Sequence, residues 1–144
     1  MLSAIPAAAA SAPTCSLSLP SFQITYSPTM PPPIEAIGML RVDCVTSSAV
    51  TVTVKLSPGI SHDFAHRYLL GPHDRLAYAL EDPLTGLTFG DGTAGTEYFS
   101  RTLVPGVQGT ASAEQRLRLR IQPNQFVESG PYGDNALVAT LEFY

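Results

Sequence analysis

Tryptophan is absent from this chain and charge is scarce, with eight Lys and Arg against twelve Asp and Glu making up 14 % of 144 residues. At a formal charge of −4 and a pI near 5.2, the chain lacks the concentrated basic surface that nucleic acid demands of its main partner. Long apolar runs are missing too. Nothing approaches the roughly 18 consecutive apolar residues that read as a membrane-spanning helix. There is no G-x-S-x-G, no H-E-x-x-H and no pair of carboxylates in a recognisable context, so no catalytic residue, metal ligand or cofactor is expected. Cysteine is limited to Cys15 and Cys44. Two lone thiols without a C-x-x-C partner make a poor metal site, and a single disulfide is the reading they favour. Such a bond persists in an oxidising compartment such as a periplasm or a cell surface.

Turn formers and β-formers are what the chain has in quantity. Thirteen Pro and eleven Gly punctuate stretches rich in Val, Thr, Leu and Ser, the composition of one all-β domain long enough to bury a core. Residues 15–19 and 22–26 alternate and are split by Pro20, which cannot donate a ladder hydrogen bond and so marks a switch or bulge. Residues 27–33 form a turn that leaves as a stiff polyproline stretch. Residues 36–44 place Leu40, Val42 and Cys44 on one face and Ile37, Met39 and Arg41 on the other, and residues 49–56 turn Val50, Val52, Val54 and Leu56 inward. The period fails over residues 57–74, a long loop broken by a short strand at 67–70. Further strands are expected at 76–80, 87–89, 97–104 and 115–121, with a connection at 122–135. Eight or nine short strands and no sustained helical period predict an antiparallel β-sandwich.

The last stretch, residues 136–144, alternates. Leu137, Ala139, Leu141 and Phe143 fall on one side of an extended strand, and Val138, Thr140, Glu142 and Tyr144 on the other. No later residue is there to pair with it, so its other neighbour is expected from earlier in the chain or from another molecule, and an apolar edge left bare invites a foreign strand. At the opposite end, residues 1–14 read as the tail of a secretory signal with small residues in the A-x-A arrangement. Cleavage is expected after Ala10. Residues 1–12 are accordingly read as a signal remnant or flexible leader, and 13–144 as the domain.

The ordered set of features resembles the spore coat protein U domain, the subunit family of Csu-type (archaic) chaperone–usher pili. It comprises Cys15 followed by Phe22 and Tyr26, the strand from Gly38 that ends in Cys44, the Val/Thr strand after it, and Arg67 ahead of a short apolar pair and Gly71. Leu76-Ala-Tyr-Ala-Leu80, the loop Phe89-Gly-Asp-Gly-Thr93 and Gly130-Pro-Tyr-Gly-Asp134 complete it, so the match runs from residue 15 to 144. The resemblance implies an immunoglobulin-like β-sandwich lacking its final strand and completed by donor-strand complementation. It implies a periplasmic chaperone, an outer-membrane usher and neighbouring subunits as partners, secretion through the periplasm to a surface pilus, and a role in adhesion and biofilm formation. The chaperone and donor-strand groove would be lined by Leu137, Ala139, Leu141 and Phe143. A donor segment should carry alternating large apolar residues ahead of Cys15, and residues 1–14 do not. Either further sequence precedes them or the subunit accepts a strand and offers none, as a tip adhesin would. The rival reading from another class is a self-contained secreted β-sandwich that binds carbohydrate or another surface ligand.

Other constellations read more plainly. His62, His66 and His73 with Asp63 and Asp74 lie in a Gly/Pro-flanked loop and are expected to be solvated. Residues 90–95, Gly-Asp-Gly-Thr-Ala-Gly, have no Lys and no helix after them and read as a turn. Arg116, Arg118 and Arg120 form a basic stripe on one strand face, expected to be solvated or to meet acidic groups of a partner. Met30, the Pro31 run and Ile34 are expected to anchor a loop onto the core.

Overall fold

The computed structural model describes residues 12–20, 23–31, 34–134 and 136–144. Residues 1–11 of the expected leader, Phe22 of the second segment and Pro32 and Pro33 of the polyproline stretch lie outside them. The strands, in chain order, are β1 (Thr14–Ser18), β2 (Gln23–Tyr26), β3 (Ile34–Val45), β4 (Val50–Leu56), β5 (Tyr68–Leu70), β6 (Arg75–Glu81), β7 (Phe99–Leu103), β8 (Thr110–Ile121), β9 (Gly130–Gly133) and β10 (Ala139–Phe143). Two short 3₁₀ turns, Gly59–Ser61 and Phe64–His66, interrupt the loop between β4 and β5.

Every strand pair is antiparallel. One sheet runs β1-β3-β8-β6-β5-β9-β2 and the other β10-β4-β7. The spine is β3 with β8, twelve residues each, in register from Ile34 opposite Ile121 to Val45 opposite Thr110. The alternation read from the sequence points inward as expected. Leu40, Val42 and Cys44 of β3, Leu117, Leu119 and Ile121 of β8, and Val50, Val52, Val54 and Leu56 of β4 are all buried, while Ile37 and Met39 are exposed. Burying each such aliphatic side chain stabilises the fold by about 1.5–3 kcal/mol.

Strands β1 and β2 stand at opposite ends of the larger sheet, yet only four residues separate them in sequence. Five residue steps reach at most about 17 Å. The sheet therefore curls until its two ends approach, giving a sandwich. Pro20 makes the crossing, passing so close over Gly38 that a Cβ there would lie 2.3 Å from the Pro20 Cβ. A side chain at position 38 and a chain that crosses at Pro20 from one end of the sheet to the other exclude each other.

Three segments differ from expectation. β9 lies inside the stretch 122–135 that reads as a connection: its Gly and Pro are poor strand formers, but it pairs with β2 and carries Tyr132, which is buried. β8 starts five residues before the strict alternation, because the small residues Ala111 and Ala113 extend the ladder opposite Cys44 and Val42. Residues 87–89 shrink to isolated bridges, Thr88 to Glu81 and Phe89 to Glu97.

Candidate functional site

The geometry of β10 decides what this molecule can bind. β10 pairs with β4 from Ala139 opposite Leu56 to Phe143 opposite Val52, and no strand lies on its other side among the described residues. Thr51 N–H donates to Tyr144 O at 2.9 Å, Tyr144 N–H returns a bond to Thr51 O at 3.1 Å, and Ser57 N–H donates to Val138 O at 2.8 Å. In an antiparallel ladder, pairs that exchange both bonds alternate with pairs that exchange none. Glu142 and Thr140 therefore spend their main-chain groups on β4 as Tyr144 does. Ala139, Leu141 and Phe143 turn theirs to the bare edge.

The same odd-numbered residues direct their side chains inward. Leu137, Ala139 and Leu141 are half-buried against the core, whereas Val138 and Thr140 are exposed and Phe143 reaches 39 % exposure at the rim. Across from them stands β1, the outer strand of the other sheet, whose Cα atoms come within 8 Å of β10 without pairing. Its Cys15 and Leu17 are also half-buried, as are Ala111 and Ala113 on the inner face of β8, which lies beyond β3 from β1. Farther along the same inner face of β8, Leu117, Leu119 and Ile121 are 1–6 % exposed. The sandwich is thus sealed at one end and open along an apolar seam between β1 and β10 at the other.

One wall of the seam is bolted in place. Cys15 and Cys44 are direct register partners on β1 and β3 and form a disulfide, so the expected pairing is present. The groove residues expected from the sequence stand together on this seam. The wall residues Cys15 and Leu17 were not legible as part of it, although their alternation with Ser16 and Ser18 was an available signal.

The arginine stripe lies elsewhere, on the outer face of the larger sheet. Glu81 of β6 takes Arg120 Nε at 3.0 Å and Arg118 Nη2 at 3.4 Å, so two of the three charges are answered within the chain. Arg41 is likewise paired, with Asp43 and Glu114. The loop histidines fall into separate pairs, His66 with Asp63 at 2.8 Å and His73 with Glu128 at 3.0 Å. The His66 contact, with the Ala65 N–H, holds the Asp63 carboxyl below its ordinary range.

Among the described residues β10 thus presents an unpaired, apolar-lined edge, the geometry to which an extended strand can be added. The sequence matches the Spore Coat Protein U domain over residues 1–139, and the chain belongs to that family. Its fold is similar to a chain in the crystal structure of the CsuC-CsuE chaperone-tip adhesion subunit pre-assembly complex from archaic chaperone-usher Csu pili of Acinetobacter baumannii. The TM-score is 0.57 at 17 % identity, over 90 % of this chain and 40 % of that one. This chain thus spans well under half the length of that neighbour. No curated protein matches it.

Proposed function

We propose that this protein is a non-enzymatic structural subunit of a chaperone–usher fibre, and that the seam between β1 and β10 takes an extended segment of a second polypeptide. That segment comes first from a periplasmic chaperone and then from a neighbouring subunit. The observation that carries the reading is the coincidence on β10 of two properties: Ala139, Leu141 and Phe143 offer both unpaired main-chain groups and apolar side chains to the same seam. An incoming strand would satisfy the first by hydrogen bonding and bury its own alternate side chains between the half-buried rows of β1 and β10. The half-burial of Cys15 and Leu17 on β1, and of Leu137, Ala139 and Leu141 on β10 and the residues leading into it, supports a core that is one strand short. Passage through an oxidising periplasm agrees with the disulfide, and the assembled fibre would serve attachment and biofilm formation, with an usher exporting it.

A tip position is the second reading, favoured by the solved neighbour, which is a complex of a chaperone with a tip adhesion subunit. The test is a titration of the purified protein with a synthetic peptide of about ten residues alternating Val or Ile with Ser or Thr. Uptake of the peptide with a rise in Tm, and loss of self-association on size exclusion, is the expected result. A stable monomer whose Tm the peptide leaves unchanged would favour a self-contained surface-binding sandwich instead.

A further inference from the structure

The least expected residue in the core is Arg67. It is 1 % exposed and makes no salt bridge among the described residues, although the buried Asp134 is near enough to favour its charge. Its Nη1 donates to Phe89 O and its Nη2 to Ser57 O, both at 2.8 Å, the guanidinium stands 5.2 Å from the centre of the Phe64 ring, and Nε has no hydrogen-bond partner. A buried cation without a directly bonded counter-ion is a costly way to fill space. Burial accordingly pushes the Arg67 pKa down and the pKa of the neighbouring Tyr78 phenol well up.

What the cation holds is the lead-in to β10. Ser57, whose carbonyl Arg67 binds, donates its own N–H to Val138 O at 2.8 Å, and its Oγ accepts from Val138 N–H, also at 2.8 Å. Both main-chain groups of Val138 are therefore satisfied by one serine. Two residues earlier, Ala136 N–H donates to Asp134 Oδ1 at 3.0 Å, while Asp134 Oδ2 accepts from Tyr78 Oη at 3.2 Å and Ile60 N–H at 3.4 Å. Gly59, at φ +80°, leaves room for that carboxylate: a Cβ there would lie 2.1 Å from Oδ2. The two residues flanking Leu137 are thus clamped from below, by Ser57 under Arg67 and by Asp134 under Tyr78. Leu137 is the first side chain of β10's inward row.

We propose that Arg67, acting through Ser57, and Tyr78, acting through Asp134, are positioning residues that hold the start of the strand-accepting edge in the geometry an incoming strand requires. This rests on the strand-accepting reading above. The ladder with β4 fixes β10 only from Val138 onward. Without the clamp, Leu137 and the chain before it would move relative to β1 across the seam.

The experiment compares Ser57→Ala, Ser57→Thr, Arg67→Met and Leu141→Glu with the parent protein, using the alternating peptide as probe and amide hydrogen exchange at Val138 as a second readout. Ser57→Ala is expected to weaken peptide capture about tenfold, the effect of one lost hydrogen bond of ~1.4 kcal/mol, and to speed Val138 exchange by a similar factor, with Ser57→Thr restoring both. Arg67→Met should act in the same direction. Val138 exchange unchanged in Ser57→Ala overturns the clamp whatever the peptide does. Capture unchanged in Ser57→Ala and Arg67→Met, while Leu141→Glu abolishes it, overturns their bearing on strand acceptance. If the parent protein captures no peptide, strand acceptance itself fails, and the Val138 exchange still decides whether the clamp exists.

Discussion

Replacing both cysteines, Cys15→Ala with Cys44→Ala, releases the one covalent constraint between β1 and the rest of the sandwich. The crosslink joins residues 29 apart in sequence, and the chain-entropy model assigns closure of such a loop about 3.5 kcal/mol at 25 °C. Loss of the buried Cys44 sulfur adds a packing cost of about 1 kcal/mol, for a total near 4–5 kcal/mol. With a urea m-value of about 2 kcal/mol/M, the unfolding midpoint should fall by roughly 2 M. Among the described residues β1 has β3 as its sole ladder partner, over five residues. Its amides should therefore exchange faster by a larger factor than those of the β3–β8 spine. Urea titration with hydrogen exchange under oxidising conditions reads both. A midpoint shift below about 0.5 M at unchanged m, with β1 exchange unaltered, would refute the view that this bond holds the seam wall against a chain otherwise free to leave it.

Three further outcomes follow from the same coordinates. Leu141→Glu places a charge in the seam without disturbing the buried core; far-UV circular dichroism should be retained while calorimetry shows peptide affinity falling at least about tenfold, since an unpaired buried charge costs well over 1.4 kcal/mol. Glu81→Ala leaves Arg118 and Arg120 without their carboxylate and should cost about 1–3 kcal/mol in denaturant unfolding, because Arg118 is three-quarters covered and its Nε already lacks a partner. Glu97 is raised above its ordinary value of 4.5, first by burial and then by Asp82 beside it. A carboxyl whose folded pKa is raised contributes stability that is full below the unfolded value and is lost as pH rises through the folded one. Tm should therefore climb as pH falls toward the ordinary value of 4.5, and Glu97→Gln should flatten that climb. The lowered carboxyls Asp63 and Asp91 act in the opposite sense and only below their ordinary 3.8.

The parts of the fold that were legible are those where one strand suffices to decide. Val50, Val52, Val54 and Leu56 announce their inward face by period alone, as do Leu117, Leu119 and Ile121 on β8. Pro20 announces a switch because it lacks an N–H. By contrast, Gly130-Pro-Tyr-Gly133 is a strand only because β2 lies beside it, and Arg118 and Arg120 are ion-paired only because the β6–β8 register brings Glu81, 37 residues away from Arg118, onto their face. Arg67 is the sharpest case. Its charge argues for the surface in any local reading, and its burial is understood only once the carbonyls of Ser57 and Phe89 are seen converging on it.

Period and composition by themselves determined an all-β sandwich, the direction each long strand faces and an apolar final strand, because side-chain alternation is a property of a single extended chain. Which edges remain unpaired, and that β1 and β10 leave an apolar seam between them, was decided by the tertiary structure alone. Pairing is a relation between segments: β1 ladders on β3 and β10 on β4, and only the stacking of the two sheets brings their bare edges face to face.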